Sequence, residues 1–170
     1  MKKINDGFSL IEISVVLTII AVIASFAIPS YHQYMASQEA KKVPQMLTRH
    51  IQKAKHESLL YRKNIILCAT STFHECDNNW TNGYILFIDQ NKNRNYDLDE
   101  TVLAIESLQL KYGTLSWQGF GNKRIIFEGN SGLPLASNGS FRYCSHHYPH
   151  YLKLTLSRMG HARNESLTSC

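Results

Sequence analysis

The sequence contains no nucleophile–base–orienter pattern, no glycine-rich phosphate loop and no paired-carboxylate motif, and these absences exclude an enzyme reading. It has no C-x-x-C spacing, which argues against a zinc site. It has no low-complexity segment and no repeat at a fixed period, so a solenoid or propeller is excluded as well. Charge is moderate: 18% of residues are Asp, Glu, Lys or Arg against 44% hydrophobic, the balance of a globular chain.

What is present begins at the N-terminus. A basic start, Lys2-Lys3-Ile4-Asn5-Asp6-Gly7, leads into an apolar run from Phe8 to Ile28 that is broken only by Ser, Thr and Ala and by one carboxylate, Glu12. At ~1.5 Å per residue this run is long enough to cross the ~30 Å core of a bilayer as a helix. A charge at that depth costs roughly 2.5 to 3.5 kcal/mol on insertion scales, so Glu12 needs a partner. A cut between Gly7 and Phe8 would create one, because the new α-amino group of Phe8 would be cationic at neutral pH, one turn from Glu12 and close to it on a neighbouring copy.

The stretch Gly7-Phe8-Ser9-Leu10-x-Glu12 resembles the class III signal of type IV pilins and type II secretion pseudopilins. The resemblance implies cleavage by a prepilin peptidase after Gly7, N-methylation of Phe8, and packing of the apolar run against other subunits of a filament. Two plainer readings compete. One is a secretory signal peptide cut near Ser25-Phe26-Ala27, and the other an ordinary single-span anchor. The mature mass separates them: loss of residues 1–7, loss of residues 1–27, or no loss.

The four cysteines, Cys68, Cys76, Cys144 and Cys170, all lie beyond the span. In an oxidising compartment they allow three pairings, of which Cys68 with Cys76 and Cys144 with Cys170 is the most local. The net charge is +5, and removing the leader and span leaves the excess intact, since Lys2 and Lys3 go together with Asp6 and Glu12.

Past Pro29, Tyr31, Tyr34, Met35, Val43, Met46, Leu47, Ile51, Ala54 and Ser58 recur at three- and four-residue steps, the stripe of an amphipathic helix reaching to about Leu60. Pro29 is expected to kink it and Pro44 to interrupt it, while Lys41, Lys42, Arg49, Lys53, Lys55 and Arg62 read as a solvated face. From Asn64 the pattern turns strand-like. Asn64–Ala69, Gly83–Asp89, Thr101–Ser107, Thr114–Gln118, Arg124–Glu128, Ser140–Cys144 and Tyr151–Ser157 are separated by Asn-Gly and Gly-rich turns.

A cysteine-terminated strand, Trp80-x-x-Gly83-Tyr84-x-x-Phe87-x-Asp89, an Asn/Asp-rich turn closing at Glu100 and Ser157-Arg158-x-Gly160 together resemble the GspH/FimT group. The fold class expected is α+β and pilin-like: a long N-terminal helix, half transmembrane and half amphipathic, packed on an antiparallel head of about six or seven strands. The divisions expected are a leader at 1–7, an assembly helix at 8–29, its amphipathic continuation at 30–62 and a β-rich head at 63–170. The resemblance implies a minor pilin or pseudopilin held by one span in the bacterial inner membrane with its head in the periplasm. Incorporation then follows at or near the tip of a type IV pilus or pseudopilus. Its partners are other pilin subunits, the peptidase and the membrane.

Two further readings stay open. One is a type II secretion pseudopilin that engages exported proteins. The other is a DNA-binding minor pilin for DNA uptake, since FimT proteins of transformable bacteria carry a G-R-x-R motif near the C-terminus. Here Gly160 and Arg163 match and His161 replaces the first arginine, so one of two phosphate forks is lost. Arg158, Lys153, Lys123 and Arg124 would enlarge a patch if adjacent; a solvated basic tail is the plainer reading.

No cofactor is expected, and the one candidate ligand is calcium. Asp89, Asn91, Asn93, Asn95, Asp97 and Glu100 stand at positions 1, 3, 5, 7, 9 and 12 of a twelve-residue loop, the EF-hand spacing. Arg94 replaces the glycine of position 6, which is expected to forfeit the turn, and a polar hairpin turn is the alternative. His146, His147 and His150 read as an exposed loop.

Overall fold

The apolar and amphipathic runs form one helix, α1 (Leu10–Tyr61), in a computed structural model that describes residues 9–119, 124–134 and 136–170. The helical assignment runs through both Pro29 and Pro44. The chain divides into two compact units, Met1–Met35 and Ala36–Cys170.

In the first unit the few polar side chains turn inward on the helix itself. The hydroxyls of Ser14, Thr18, Ser25 and Ser30 donate to the carbonyls of Ile11, Ser14, Val22 and Phe26. Each of these four hydroxyls is thereby satisfied without water, as a helix in hydrocarbon requires. The apolar side chains are left facing outward, from Leu10 at 86% exposure to Phe26 at 72%. This is the one described helix long and apolar enough to cross a membrane.

In the second unit the rest of α1 buries Ala36, Ala40, Val43, Pro44, Leu47, His50, Ile51, Ala54 and Ser58. Val43, Leu47, Ile51, Ala54 and Ser58 were legible as a stripe, whereas Pro44, expected to interrupt the helix, lies on its buried face. The small residues Ala36, Ala40 and Ala54 let the helix lie close to what it covers, which hydropathy alone does not announce.

Eight strands are described, in two antiparallel sheets of four. The first has the order β3-β2-β1-β5, with β1 (Asn64–Ala69), β2 (Gly83–Asp89), β3 (Val102–Ser107) and β5 (Arg124–Phe127). The second has the order β4-β6-β7-β8, with β4 (Gly113–Gly119), β6 (Gly139–Ser145), β7 (Tyr151–Leu156) and β8 (Ala162–Leu167). Strand β8 exceeds the six or seven expected. Its sequence, Ala-Arg-Asn-Glu-Ser-Leu, is mostly polar because it pairs only with β7 at the sheet edge.

The main core gathers Val43, Leu47 and Ile51 of α1, Ile65, Leu67, Tyr84 and Leu86 of the first sheet, and Trp117, Phe141, Tyr143 and Leu154 of the second. The alternate residues of β1 and β2, Ile66, Cys68, Ile85 and Phe87, form a second cluster covered by Cys76, Tyr96, Val102 and Ile126. Both central strands are therefore buried on both faces, which is why they read as continuous apolar runs. Gly83 opens β2 where a Cβ would stand 2.3 Å from the carbonyl oxygen of Glu106, so the β2–β3 approach admits only glycine there.

Candidate functional site

At the N-terminal end, Gly7 and Phe8 lie outside the described residues. Glu12 does not stand idle in the single chain: its Oε2 accepts the backbone N–H of Ser9 at 2.8 Å. Ser9 and Glu12 hold the spacing of a capping box, in which the carboxylate satisfies an N–H that the helix cannot. The Ser-x-x-Glu spacing carried this signal in the sequence, alongside the partner sought for Glu12.

In the head, the oxidised cysteines form Cys68–Cys76 and Cys144–Cys170, and no free cysteine is left. The first joins β1 to the following loop, so that Cys76 covers the second core cluster. The second joins β6 to Cys170 beyond the end of β8.

Two polar networks, one buried and one part-buried, tie α1 to the sheets. His50 Nδ1 shares a hydrogen bond of 2.8 Å with the Tyr84 hydroxyl, and its Nε2 lies 3.5 Å from Glu106 Oε1. Burial pulls the His50 imidazole below its usual range against the opposing pull of Glu106, and burial likewise pushes the Tyr84 phenol up. About three turns nearer the N-terminus of α1, Glu39 accepts the N–H groups of Lys111 and Tyr112 and the hydroxyl of Tyr143. Lys53 and Lys55, read from sequence as solvated, donate to the carbonyls of Leu103 and Met159.

The basic residues near the C-terminus divide between two places. Lys153 lies on β7 and Arg163 on β8; cross-strand register puts Arg142, Lys153 and Glu165 in one row, with Arg163 two residues along the same face. Arg163 is bonded to Glu165, and Lys153 Nζ lies 3.9 Å from the same carboxylate. Arg158 and Gly160 belong to the turn between β7 and β8, where Arg158 reaches Asn138 and Gly160 takes the left-handed φ of 72°. Arg124 stands on β5 of the other sheet and donates to the Arg94 carbonyl and Asn95 Oδ1, so it does not extend this face; Lys123 lies outside the described residues.

The loop from Asp89 to Glu100 is held by its own side chains. Asn91 Oδ1 accepts Asn93 N–H and Asn93 Oδ1 accepts Asn95 N–H, while both amide groups donate to Asp97 Oδ2. Glu100 accepts the N–H groups of Gln90 and Asp97. Arg94 does not forfeit the turn: it adopts φ 65° itself, the left-handed conformation that glycine takes without strain.

Among the described residues, no three His, Cys, Asp or Glu side chains converge to hold a metal. His146, His147 and His150 are accordingly spread along the β6–β7 connection, where the His146 and His147 rings are edge-on at 6.3 Å.

Comparison with known proteins gives two family matches. Residues 45–160 match "Type II transport protein GspH", and residues 2–28 match "Prokaryotic N-terminal methylation motif". In sequence, the chain is 48% identical over 40 residues to a type IV major fimbrial protein FimA of Dichelobacter nodosus, covering 24% of this chain and 25% of that one. A FimA from strain VCS1703A is 43% identical over 42 residues. The chain thus matches only about a quarter of the length of these relatives. In structure, it resembles the type IV minor pilin FimU of Pseudomonas aeruginosa, with a TM-score of 0.53 and 17% identity, over 78% of this chain and 96% of FimU. A second crystal form of FimU gives a TM-score of 0.52 over 76% and 98%.

Proposed function

This chain belongs to the GspH family and carries the N-terminal methylation motif of pilin-like proteins, and from that premise we propose that it is a minor pilin or pseudopilin. It is inserted by its apolar run, cut between Gly7 and Phe8, methylated on Phe8 and built into a pilus or pseudopilus, at or near the tip. The observation that carries this reading is the outward-facing apolar surface from Leu10 to Ile28 on a helix whose Ser14, Thr18, Ser25 and Ser30 hydroxyls are turned back on its own carbonyls. Such a surface suits lipid first and neighbouring helices afterwards.

Glu12 gives the assembly its register. After cleavage the α-amine of Phe8 is a cation beside Ser9, and a carboxylate that now accepts the Ser9 N–H is placed to pair with the amine of a neighbouring subunit. The test is the mass of the mature protein together with incorporation of Glu12→Ala. Loss of residues 1–7 plus one methyl group, with normal membrane insertion and impaired incorporation of the variant, is expected. Full-length mass, or normal incorporation of the variant, refutes the reading.

A second reading, binding of DNA by the head, rests on Arg142, Lys153 and Arg163 on one face of the second sheet. Glu165 stands among them and neutralises part of their charge. It leaves a weaker phosphate surface than an unopposed pair of arginines.

A further inference from the structure

The carboxylate of Asp89 is the least explained polar group in the head. Asp89 ends β2 at 1% exposure, and among the described residues neither of its oxygens has a hydrogen-bond partner. A carboxylate that is ionised in such a place is costly unless a cation meets it. It lies on the same face of β2 as Phe87, two residues before it, and Phe87 packs on Tyr96 of the Asp89–Glu100 loop with ring centroids 5.3 Å apart. Asp89 is therefore turned toward that loop. Glu100, 6% exposed, closes the loop and accepts the N–H groups of Gln90 and Asp97. Arg124, the cation nearest in the described hydrogen bonding, is spent on Arg94 and Asn95 at the loop tip.

We propose that this loop is a calcium site, with Asp89, Asn91, Asn93, Asp97 and Glu100 supplying side-chain oxygens and Asn95 its backbone carbonyl. The ligands are all hard oxygens, three from carboxylates and three from neutral carbonyl groups, which suits Ca²⁺ rather than a transition metal. Three of the six ligands come from asparagines, and the three carboxylates, Asp89, Asp97 and Glu100, do not converge on one point among the described residues. Asn91 and Asn93 now point two amide donors at one oxygen of Asp97, a partial positive charge in the place a cation would fill. The left-handed residue at position 6 is present in Arg94, whose side chain is exposed and leaves the loop interior to the oxygens.

The experiment uses the full chain in detergent micelles, stripped with EDTA and titrated with calcium chloride or magnesium chloride, followed by calorimetry and thermal unfolding. One calcium per chain at the sub-millimolar to millimolar affinity of extracellular sites (~10⁻⁴ to 10⁻³ M) is expected, with a rise in Tm that magnesium does not reproduce. Asp89→Asn and Glu100→Gln should each abolish that rise. In EDTA, Asp89→Asn should unfold at or above the wild-type temperature, because it removes a buried unpaired charge. The proposal fails if calcium gives neither heat nor shift, if magnesium matches calcium, or if Asp89→Asn keeps the wild-type response.

Discussion

Glu39 and Tyr143, 104 residues apart in the chain, meet at 2.8 Å, the hydroxyl of the tyrosine donating to Oε1 of the glutamate. The same carboxylate accepts the N–H groups of Lys111 and Tyr112, so one side chain of α1 fastens both the approach to β4 and the middle of β6. Burial and the Glu39 hydrogen bond push the Tyr143 phenol up, which keeps it a donor at every physiological pH. Replacing Glu39 with Ala strands one hydroxyl and two N–H groups and should cost about 1–3 kcal/mol, whereas Tyr143→Phe should cost about 1 kcal/mol. Urea unfolding of both variants and the double mutant checks this: the double mutant should be less destabilised than the sum.

His50 sets a pH dependence. Its folded pKa lies below the unfolded value of 6.5, so at low pH the unfolded state binds the extra proton. Stability is therefore full above about pH 6.5 and falls as the pH drops through that value. Glu106 opposes the trend, while Arg49 and Lys53 reinforce it. Unfolding free energies measured between pH 8 and pH 5 should decline, and the decline should be shallower in His50→Gln.

The two disulfides should differ in worth. Their sequence separations are 8 for Cys68–Cys76 and 26 for Cys144–Cys170. In the chain-entropy account the longer loop contributes about 1 kcal/mol more, within a total of about 2–4 kcal/mol. Paired Cys→Ser variants, compared by denaturant midpoint, should show the greater loss for Cys144 and Cys170.

For DNA, the salt dependence is the informative quantity. If the β7–β8 face holds phosphates, Arg163→Ala should weaken binding and lower the salt slope by about 1, and Glu165→Gln should strengthen binding. Gel shifts of the full chain in micelles at two salt concentrations check both directions. Equal affinity of all three proteins removes the DNA reading.

The helix was plain in the sequence because its buried face recurs at helical steps, and the two central strands because burial acts on nearly every residue there. Val43, Leu47 and Ile51 recur at helical steps, and Ile65 to Ala69 form an unbroken apolar run because loops cover the outer face of β1. Strand β8 was hidden because an edge strand needs few apolar residues. The separation into two sheets was hidden because pairing order is not written in local pattern: β5 returns to β1 across the whole of β2, β3 and β4. The buried carboxylate at Asp89 was half legible. Spacing marked the oxygens, but only the fold shows that one carboxylate is buried without a partner.

The Cys144–Cys170 bond also decides how the head carries tension. A pull on Cys170 passes through sulfur directly to Cys144 on β6, so β7 and β8 lie outside the load path. While the bond is intact, the stretch between these cysteines, 26 residues in sequence separation, cannot be drawn out; reduction would release roughly 90 Å of slack at ~3.4 Å per residue. The edge strand with the basic face is in this way shielded by a covalent bypass in addition to its pairing with β7, and force on Cys170 would reach β6 first.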